Sequence, residues 1–473
     1  MNFKNKKVAV IGLGKSGFAA AKFLNGLGAR VRVTEGSDKK EALESADFLK
    51  SLGVSVETGG HTADFIKGSA LVVTSPGVSK KSVPLMTAEK LKIPVISEIE
   101  LASFFCRGFN VAVTGSNGKT TTSHLIHRIL LEAGKKSVLC GNVGYSFLEA
   151  VREIEKRTFA VIELSSFQLE DIRTFRPKIA AVLNISPNHL DRHGSMENYV
   201  RAKEKIFKNQ RKTDTLILNY DDPAVRAMSK KAHSRIIYFS KYSIDQGVFV
   251  RDGKIIVKIG KKEKVFLNSF HLKLKGQHNL ENALAAAAIA WVLKIPARSL
   301  QKTLSSFETL EHRIEPVGET AGVHFIDDSK STTVESTKAA ILTTNRPMIL
   351  IAGGRDKGAH FAEIEPLLED HVKSVILYGE AREKIAGAWK RFDRYEMEKD
   401  FRSAVISAFR TAKAGDSILL SPMCTSFDQF SCFEERGEVF KKIFKEIKES
   451  SASAKLKTRS GASSFRSEHS PLL

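Results

Sequence analysis

The sequence predicts an α/β protein of three successive domains, and three observations carry that reading. Short apolar runs alternate with helical patterns along the chain, the signature of parallel sheets covered by helices. Glycine turns follow a strand at 12–17 and again at 115–118, the second as a fresh start. At ~150 residues per domain, a chain of 473 residues allows about three.

In the first domain, 1–107, residues 7–11 (KVAVI) read as a strand, 18–27 as a helix and 29–34 as a second strand. A strand at 71–74 stops at Ser75-Pro76-Gly77, and another follows at 93–97. The second domain, 108–309, restarts at 110–114 (NVAVT), with later strands at 159–163, 180–184 and 215–219. Residues 247–267 read as a hairpin turned by Asp252-Gly253. A helix opens near Asn279, and 283–293 is the longest apolar run. That run is far short of the ~20 residues that span a bilayer, so it is expected as a buried, alanine-rich helix. The third domain, 310–449, has strands at 323–326, 347–352, 374–378 and 417–420, with helices between. From 450 to 473 the composition turns to Ser, Ala, Lys and Arg, and this tail is expected to be disordered.

Composition sets the outer bounds. With 42% hydrophobic and 27% charged residues, collagen, disulfide scaffolds and wholesale disorder are excluded. Lys plus Arg number 74 against 53 Asp plus Glu, a net +21. Such a balance fits nucleic acid, a membrane surface, a small anionic substrate or nothing in particular. The four cysteines, Cys106, Cys140, Cys424 and Cys432, form no CxxC pair, which fits reduced thiols in the cytoplasm. The N-terminus reads as strand then glycine turn, not as a signal peptide.

The strongest chemical signal is Thr114-Gly115-Ser116-Asn117-Gly118-Lys119-Thr120, followed by Thr121, between a strand and a helix. Such a loop points backbone N–H groups at phosphates, its lysine reaches the β- and γ-phosphates, and its Thr hydroxyl can bind Mg²⁺. Val113 stands where the GxxxxGK[ST] pattern has its first glycine. Gly12-Leu13-Gly14-Lys15-Ser16-Gly17, with Glu35 ending the next strand, is a Rossmann-type fingerprint. It admits a pyrophosphate at a helix N-terminus without saying whose, and a structural turn fits it too. Glu163 closes a strand where a carboxylate would hold Mg²⁺. His189 follows another strand, beside the crevice expected of an open sheet, although a solvated loop histidine is the plain alternative. Three later clusters surround Gly276-Gln277-His278-Asn279, Glu311-His312-Arg313 with Asp327 to Thr332, and Leu420 to Gly437. Taken singly they read as turns and caps, with Asp328 and Ser329 able to cap a helix.

Taken together, TGSNGKTT, LSSFQLE, NHLD, GQHNLENALAA, LEHRIEP, DDSKSTT and LSPMCTSFDQF resemble the Mur ligases from the first strand to about residue 447. That resemblance implies a Rossmann-like N-terminal domain for a uridine nucleotide, a P-loop ATPase-like central domain and a Rossmann-like C-terminal domain for an amino acid. LSSFQLE and SPMCTSFDQF are most similar to the members that add D-glutamate to UDP-N-acetylmuramoyl-L-alanine in cytoplasmic peptidoglycan precursor synthesis. L-Alanine-adding siblings are the nearest competitors. The implied reaction consumes ATP through an acyl phosphate and a tetrahedral intermediate, and closure of the domains is expected.

Residue roles follow from the same resemblance. ATP falls to Gly115, Ser116, Asn117, Gly118, Lys119, Thr120, Thr121, Asn279, Arg313 and Asp328. The UDP substrate falls to Gly14, Lys15, Ser16, Glu35, Ser75, Asn142 and His189. D-Glutamate falls to Thr332, Lys357, Ser426 and Phe433. Two Mg²⁺ are implied, one falling to Thr120 and Glu163 as ligands or water-mediated neighbours and the second to His189, with Lys203 as a carbamate whose oxygens suit a hard cation. Lys119, His189, Lys203 and Lys330 are the implied catalytic groups, and cations including Arg313 disperse phosphoryl charge. Without the family, Lys203 reads as a solvated helix lysine. Asp327, Ser331 and Thr333 depart from the commoner Asn-Asp-Ser-Lys-Ala-Thr-Asn run, and Glu35 stands where relatives often carry a shorter acid. A monomer is expected, with no membrane span and no nucleic acid. Two other classes compete: a nicotinamide-dependent oxidoreductase, from the first glycine turn, and a nucleic-acid-stimulated NTPase, from the charge. No zinc finger or aromatic RNP motif supports the latter.

Overall fold

The computed structural model describes residues 2–268, 272–274, 276–308, 310–344 and 347–463, save the side chains of Asp191 and 452–463. The chain divides into two compact units. The first comprises the chain up to Ile185 with Ser195–Leu274 and His278–Phe307; the second comprises Ser186–Gly194, Lys275–Gln277 and the chain from Glu308.

The first unit holds two sheets. Strands β1 (Lys7–Ile11), β2 (Arg30–Thr34), β3 (Ser55–Glu57), β4 (Leu71–Thr74) and β5 (Val95–Ser97) form a parallel sheet in the order 3-2-1-4-5. Val8, Val10 and Ile11 are wholly buried, as a central strand covered on both faces demands. The second sheet contains β6 (Phe109–Thr114), β7 (Ser137–Gly141), β8 (Phe159–Glu163), β9 (Ile179–Val182), β10 (Thr215–Asn219), β11 (Arg235–Ser240), β12 (Gly247–Arg251), β13 (Lys254–Ile259) and β14 (Lys262–Asn268). Its order is 14-13-12-11-10-9-6-8-7, parallel except for the β12–β13–β14 meander. The expected turn at Asp252-Gly253 joins β12 to β13. The helix Gln277–Val292 buries Ala283 to Ala290 without interruption; small side chains let it lie close on the sheet.

One apolar core joins the first sheet to the second, so the first 107 residues group with the central domain. The helix Glu98–Phe105 fastens them. Glu98 Oε1 accepts from Leu148 N at 2.6 Å, and Glu100 accepts from the backbone of Arg173, Thr174 and Phe175 at 3.0, 2.6 and 3.0 Å.

The second unit carries β15 (Glu315–Thr320), β16 (Val323–Asp327), β17 (Met348–Gly353), β18 (Val372–Tyr378), β19 (Tyr395–Met397) and β20 (Ser417–Met423), ordered 15-16-20-17-18-19. Only β15 is antiparallel, and it carries Pro316 at the sheet edge, where a missing donor is tolerated. The last helix begins at Phe433 and runs past 450, where the composition argued for lost order, to Ser463. No proline interrupts that stretch, so helix can propagate through it. The rest of the expected disordered tail, 464–473, lies outside the described residues. All four cysteines are free thiols.

Candidate active site

β6 delivers the chain into the phosphate loop, and the helix Lys119–Glu132 receives it. Gly118 caps that helix at φ +77°, and a Cβ there would meet Asn282 Oδ1 at 2.2 Å, so both backbone and space demand glycine. Lys119 Nζ donates to Gly115 O at 3.0 Å and Ser116 O at 2.8 Å, which gathers its charge at the loop.

Lys203 lies under the same loop. It is 1% exposed, its Nζ donates to Gly115 O at 2.7 Å, and it stands 4.7 Å from the centre of the Tyr199 ring. The solvated-lysine reading is therefore wrong, because the helix Met196–Glu204 turns this face inward. Burial, reinforced by the Lys119 charge, holds the Lys203 ammonium well below the usual lysine range; Glu163 pulls the other way. A lysine so placed is readily the neutral amine that carbamylation requires. Tyr199 also meets Ser116 Oγ at 3.0 Å.

Glu163 ends β8 as expected. Its Oε1 accepts from Asn142 Nδ2 at 2.8 Å, while Oε2 is buried with no hydrogen-bond partner among the described residues. Glu163 pairs across the sheet with Val113, just before the loop, and an orphaned carboxylate oxygen there is what a hard divalent cation would satisfy. Thr120, Glu163 and Lys203 all belong to the first unit, whereas His189 belongs to Ser186–Gly194 of the second, where it caps a short helix at φ +55°.

In the first glycine turn, Gly12 takes φ +87°, and a Cβ on Gly17 would stand 1.9 Å from Gly12 O. Ser75 Oγ donates to Gly12 O at 3.3 Å, so this serine lines the turn. Glu35 is already engaged by that turn, accepting from Leu13 N at 2.5 Å and Ser37 N at 2.8 Å. Lys15 Nζ donates to Gly144 O, two residues after Asn142. A Cβ on Gly14 would meet nothing, which leaves open space at the N-terminus of the helix Lys15–Gly26.

The second unit builds its part around the 327–333 loop. Asp328 does not cap a helix; Thr333 does, accepting from Ser336 N at 3.2 Å in a capping box. The position after Asp328-Ser329 is not yet helical, because the loop spends its polar groups on long-range bonds instead. Asp328 accepts from Ile314 N at 3.2 Å and Ser421 Oγ at 2.8 Å, and burial pushes its carboxyl up to about 7 against the nearby Arg313 charge. Lys330 Nζ sits 3.5 Å from the centre of the Phe433 ring. Thr332 and Lys357 line one cleft together with Thr333, Gly358, His360 and Met423. Ser426 and Phe433 are not among its lining residues; Ser426 Oγ is buried without a hydrogen-bond partner among the described residues. Among the described residues, carboxylates also cluster around His312, but Lys441 Nζ already reaches Glu311, Glu315 and Glu438 at 2.8, 3.0 and 3.2 Å. That ammonium fills the place of a metal.

Three residues escaped sequence reasoning. Asn282 accepts from Thr122 Oγ1 at 3.2 Å and donates to Asn279 Oδ1 at 3.3 Å; its spacing of three from Asn279 on a helix was the available signal. Arg436 is fully buried and ties Ser329 Oγ and O, at 2.9 and 2.8 Å, to Cys424 O and Tyr378 Oη. Asn184 contacts the phosphate loop, and no local pattern marked it.

Comparison with known proteins decides the family. Residues 6–97 match the Mur ligase MurD-like N-terminal domain, 113–290 the Mur ligase middle domain and 312–424 the Mur ligase glutamate ligase domain. The chain belongs to the Mur ligase family. UDP-N-acetylmuramoylalanine--D-glutamate ligase of Thermoanaerobacter pseudethanolicus is 40% identical over 453 residues, 95% of this chain and 100% of that one. The enzyme of the same name from Clostridioides difficile is 39% identical over 445 residues, 93% and 98% of the two chains. Among solved structures, the UDP-N-acetylmuramate-alanine ligase of Thermotoga maritima superposes with a TM-score of 0.62 at 18% identity, covering 93% of this chain and all of that one. The MurF ligase of the same organism, in complex with ADP, gives 0.58 at 16%, covering 88% and 95%. These structures share the Mur ligase fold with this chain. Family membership accounts for the first glycine turn without a nicotinamide cofactor, so the oxidoreductase reading loses its motivation.

Proposed function

We propose that this Mur ligase is an ATP-dependent acid–amino-acid ligase that joins D-glutamate to UDP-N-acetylmuramoyl-L-alanine in the making of peptidoglycan precursors. The observation that carries the reading is the convergence of Lys119 and Lys203 on Gly115 O beneath a phosphate loop, with the orphaned Glu163 oxygen nearby. D-Glutamate as the added amino acid is supported by the names of the full-length relatives.

In the reaction, a carboxylate oxygen of the alanyl group attacks the γ-phosphorus of ATP and ADP leaves. The D-glutamate nitrogen then adds to the acyl carbon, loses a proton, and the tetrahedral intermediate expels phosphate to leave an amide. The main electrostatic obstacle is the approach of anions. Lys119 places positive charge at the phosphate loop, and Lys330 is assigned to the same phosphoryl charge. Thr120 and Glu163 would hold one Mg²⁺ and His189 a second, with a carbamylated Lys203 as a further oxygen donor. Bound Mg²⁺ would supply further charge neutralisation at the transferring group. Carbamylation joins the neutral Lys203 amine to carbon dioxide with loss of one proton. Thr332 and Lys357, which line one cleft, receive the D-glutamate carboxylates, Ser426 and Phe433 are assigned to the same amino acid from outside that lining, and the Gly12–Gly17 turn with Ser75 takes the UDP portion. All assigned residues lie on one chain, which works as a monomer in the cytoplasm. Among the described residues, no helix is long and apolar enough to cross a membrane.

Oxygen-18 placed in the alanyl carboxylate tests the chemistry. One labelled oxygen is expected in the released phosphate when D-glutamate is the amine. Unlabelled phosphate would contradict an acyl phosphate.

A further inference from the structure

The phosphate loop is zipped to the chain leaving β9. Leu183 N donates to Thr114 O at 3.0 Å, and Ser116 N donates to Asn184 O at 2.9 Å, extending the β6–β9 ladder beyond both strands. The Asn184 side chain adds two bonds. Its Oδ1 accepts from Asn117 N at 2.8 Å, and its Nδ2 donates to Asn117 O at 3.2 Å. One carboxamide thus grips both backbone groups of a single loop residue, as a neighbouring strand would. Gly115 makes the approach possible, since a Cβ there would already stand 3.0 Å from Leu183 Cβ and 3.2 Å from Asn117 O.

The anchor is itself fixed. Leu183 O accepts from Asn219 Nδ2 at 2.9 Å, and Ile185 N donates to Asp222 Oδ2 at 2.7 Å. Residues on both sides of Asn184 are therefore held to β10 and the turn after it. We infer that Asn184 is a positioning residue for nucleotide binding, holding the 115–118 loop in its phosphate-receptive shape through the backbone of Asn117. The inference rests on the reading that this loop takes the phosphates of ATP. Asparagine is the side chain the geometry calls for. Alanine removes both bonds. Aspartate keeps the acceptor but turns the donor into an oxygen facing Asn117 O, and adds a negative charge beside a phosphate site.

The test is calorimetric titration of the full chain with a non-hydrolysable ATP analogue and Mg²⁺, then with UDP-N-acetylmuramoyl-L-alanine alone. Asn184→Ala is expected to weaken the analogue about tenfold or more, the scale of two lost hydrogen bonds in a partly buried loop. Asn184→Asp should weaken it further, while both bind the UDP compound within about twofold of wild type. In turnover, KM for ATP should rise more than kcat falls, which a general loss of stability would not produce. Analogue binding within about twofold of wild type in a folded variant overturns the inference. A wild-type chain that fails to bind the analogue overturns the ATP reading beneath it. If Asn184→Ala does not fold, Asn184→Asp carries the comparison.

Discussion

Lys203 lies in Tyr199-Val200-Arg201-Ala202-Lys203, a run whose charges read as a solvated helix face. Its burial beneath Gly115 is a tertiary fact that no local spacing records, and only the family resemblance pointed to it. Lys203→Ala should lower kcat by about 100-fold or more while UDP-substrate affinity stays near wild type. Steady-state kinetics paired with a binding titration checks this, and wild-type turnover would remove the carbamate. Thr333 illustrates the opposite case. Against the commoner asparagine it looked like a departure at the rim of a pocket, and it does line that cleft. Yet it is also the N-cap of the helix Val334–Thr343, a post that threonine and asparagine both fill. Thr333→Asn should leave stability nearly unchanged, whereas Thr333→Ala should cost about 1 kcal/mol in denaturant unfolding.

Among the elements, most central strands were legible, the interior β11 being missed, and several edge strands were not. β1, β4, β8 and β10 lie where the apolar runs placed them, because strands covered on both faces carry continuous hydrophobic sequence. β3 and β19 have three residues each, too few for a period to show, and β15 opens with Glu-Pro. The helix Glu98–Phe105 hides a further device. Burial pushes the Glu98 carboxyl up to about 7, and its Oε2 has no hydrogen-bond partner among the described residues. An unfolded glutamate loses its proton near pH 4.5, so between there and about 7 the unfolded state binds fewer protons than the folded one. Stability from this group therefore falls as pH rises through that window. Glu98→Gln keeps an acceptor for Leu148 N and removes the titration. Its unfolding free energy should lose on the order of 3 kcal/mol of pH dependence between pH 4.5 and 7 relative to wild type. Parallel pH profiles for the two proteins would show that Glu98 is not the source.

For the whole molecule, the three domains foreseen from length appear as three family domains, but the first is fastened to the second through one core and two buried glutamates. Length arithmetic cannot see such a union, since it depends on which apolar faces meet. The net charge of +21 is likewise reinterpreted. A nucleotide sugar, ATP and an acidic amino acid are all anions, so cations such as Lys119 and Lys330 suit the proposed chemistry. They are a small part of the total; much of the remainder lies in runs such as Lys261-Lys262. The measurement that tests the account most directly is ADP release across a matrix of UDP-N-acetylmuramate or UDP-N-acetylmuramoyl-L-alanine against L-alanine or D-glutamate. ADP is expected only with UDP-N-acetylmuramoyl-L-alanine and D-glutamate together. Release with UDP-N-acetylmuramate and L-alanine instead would contradict it.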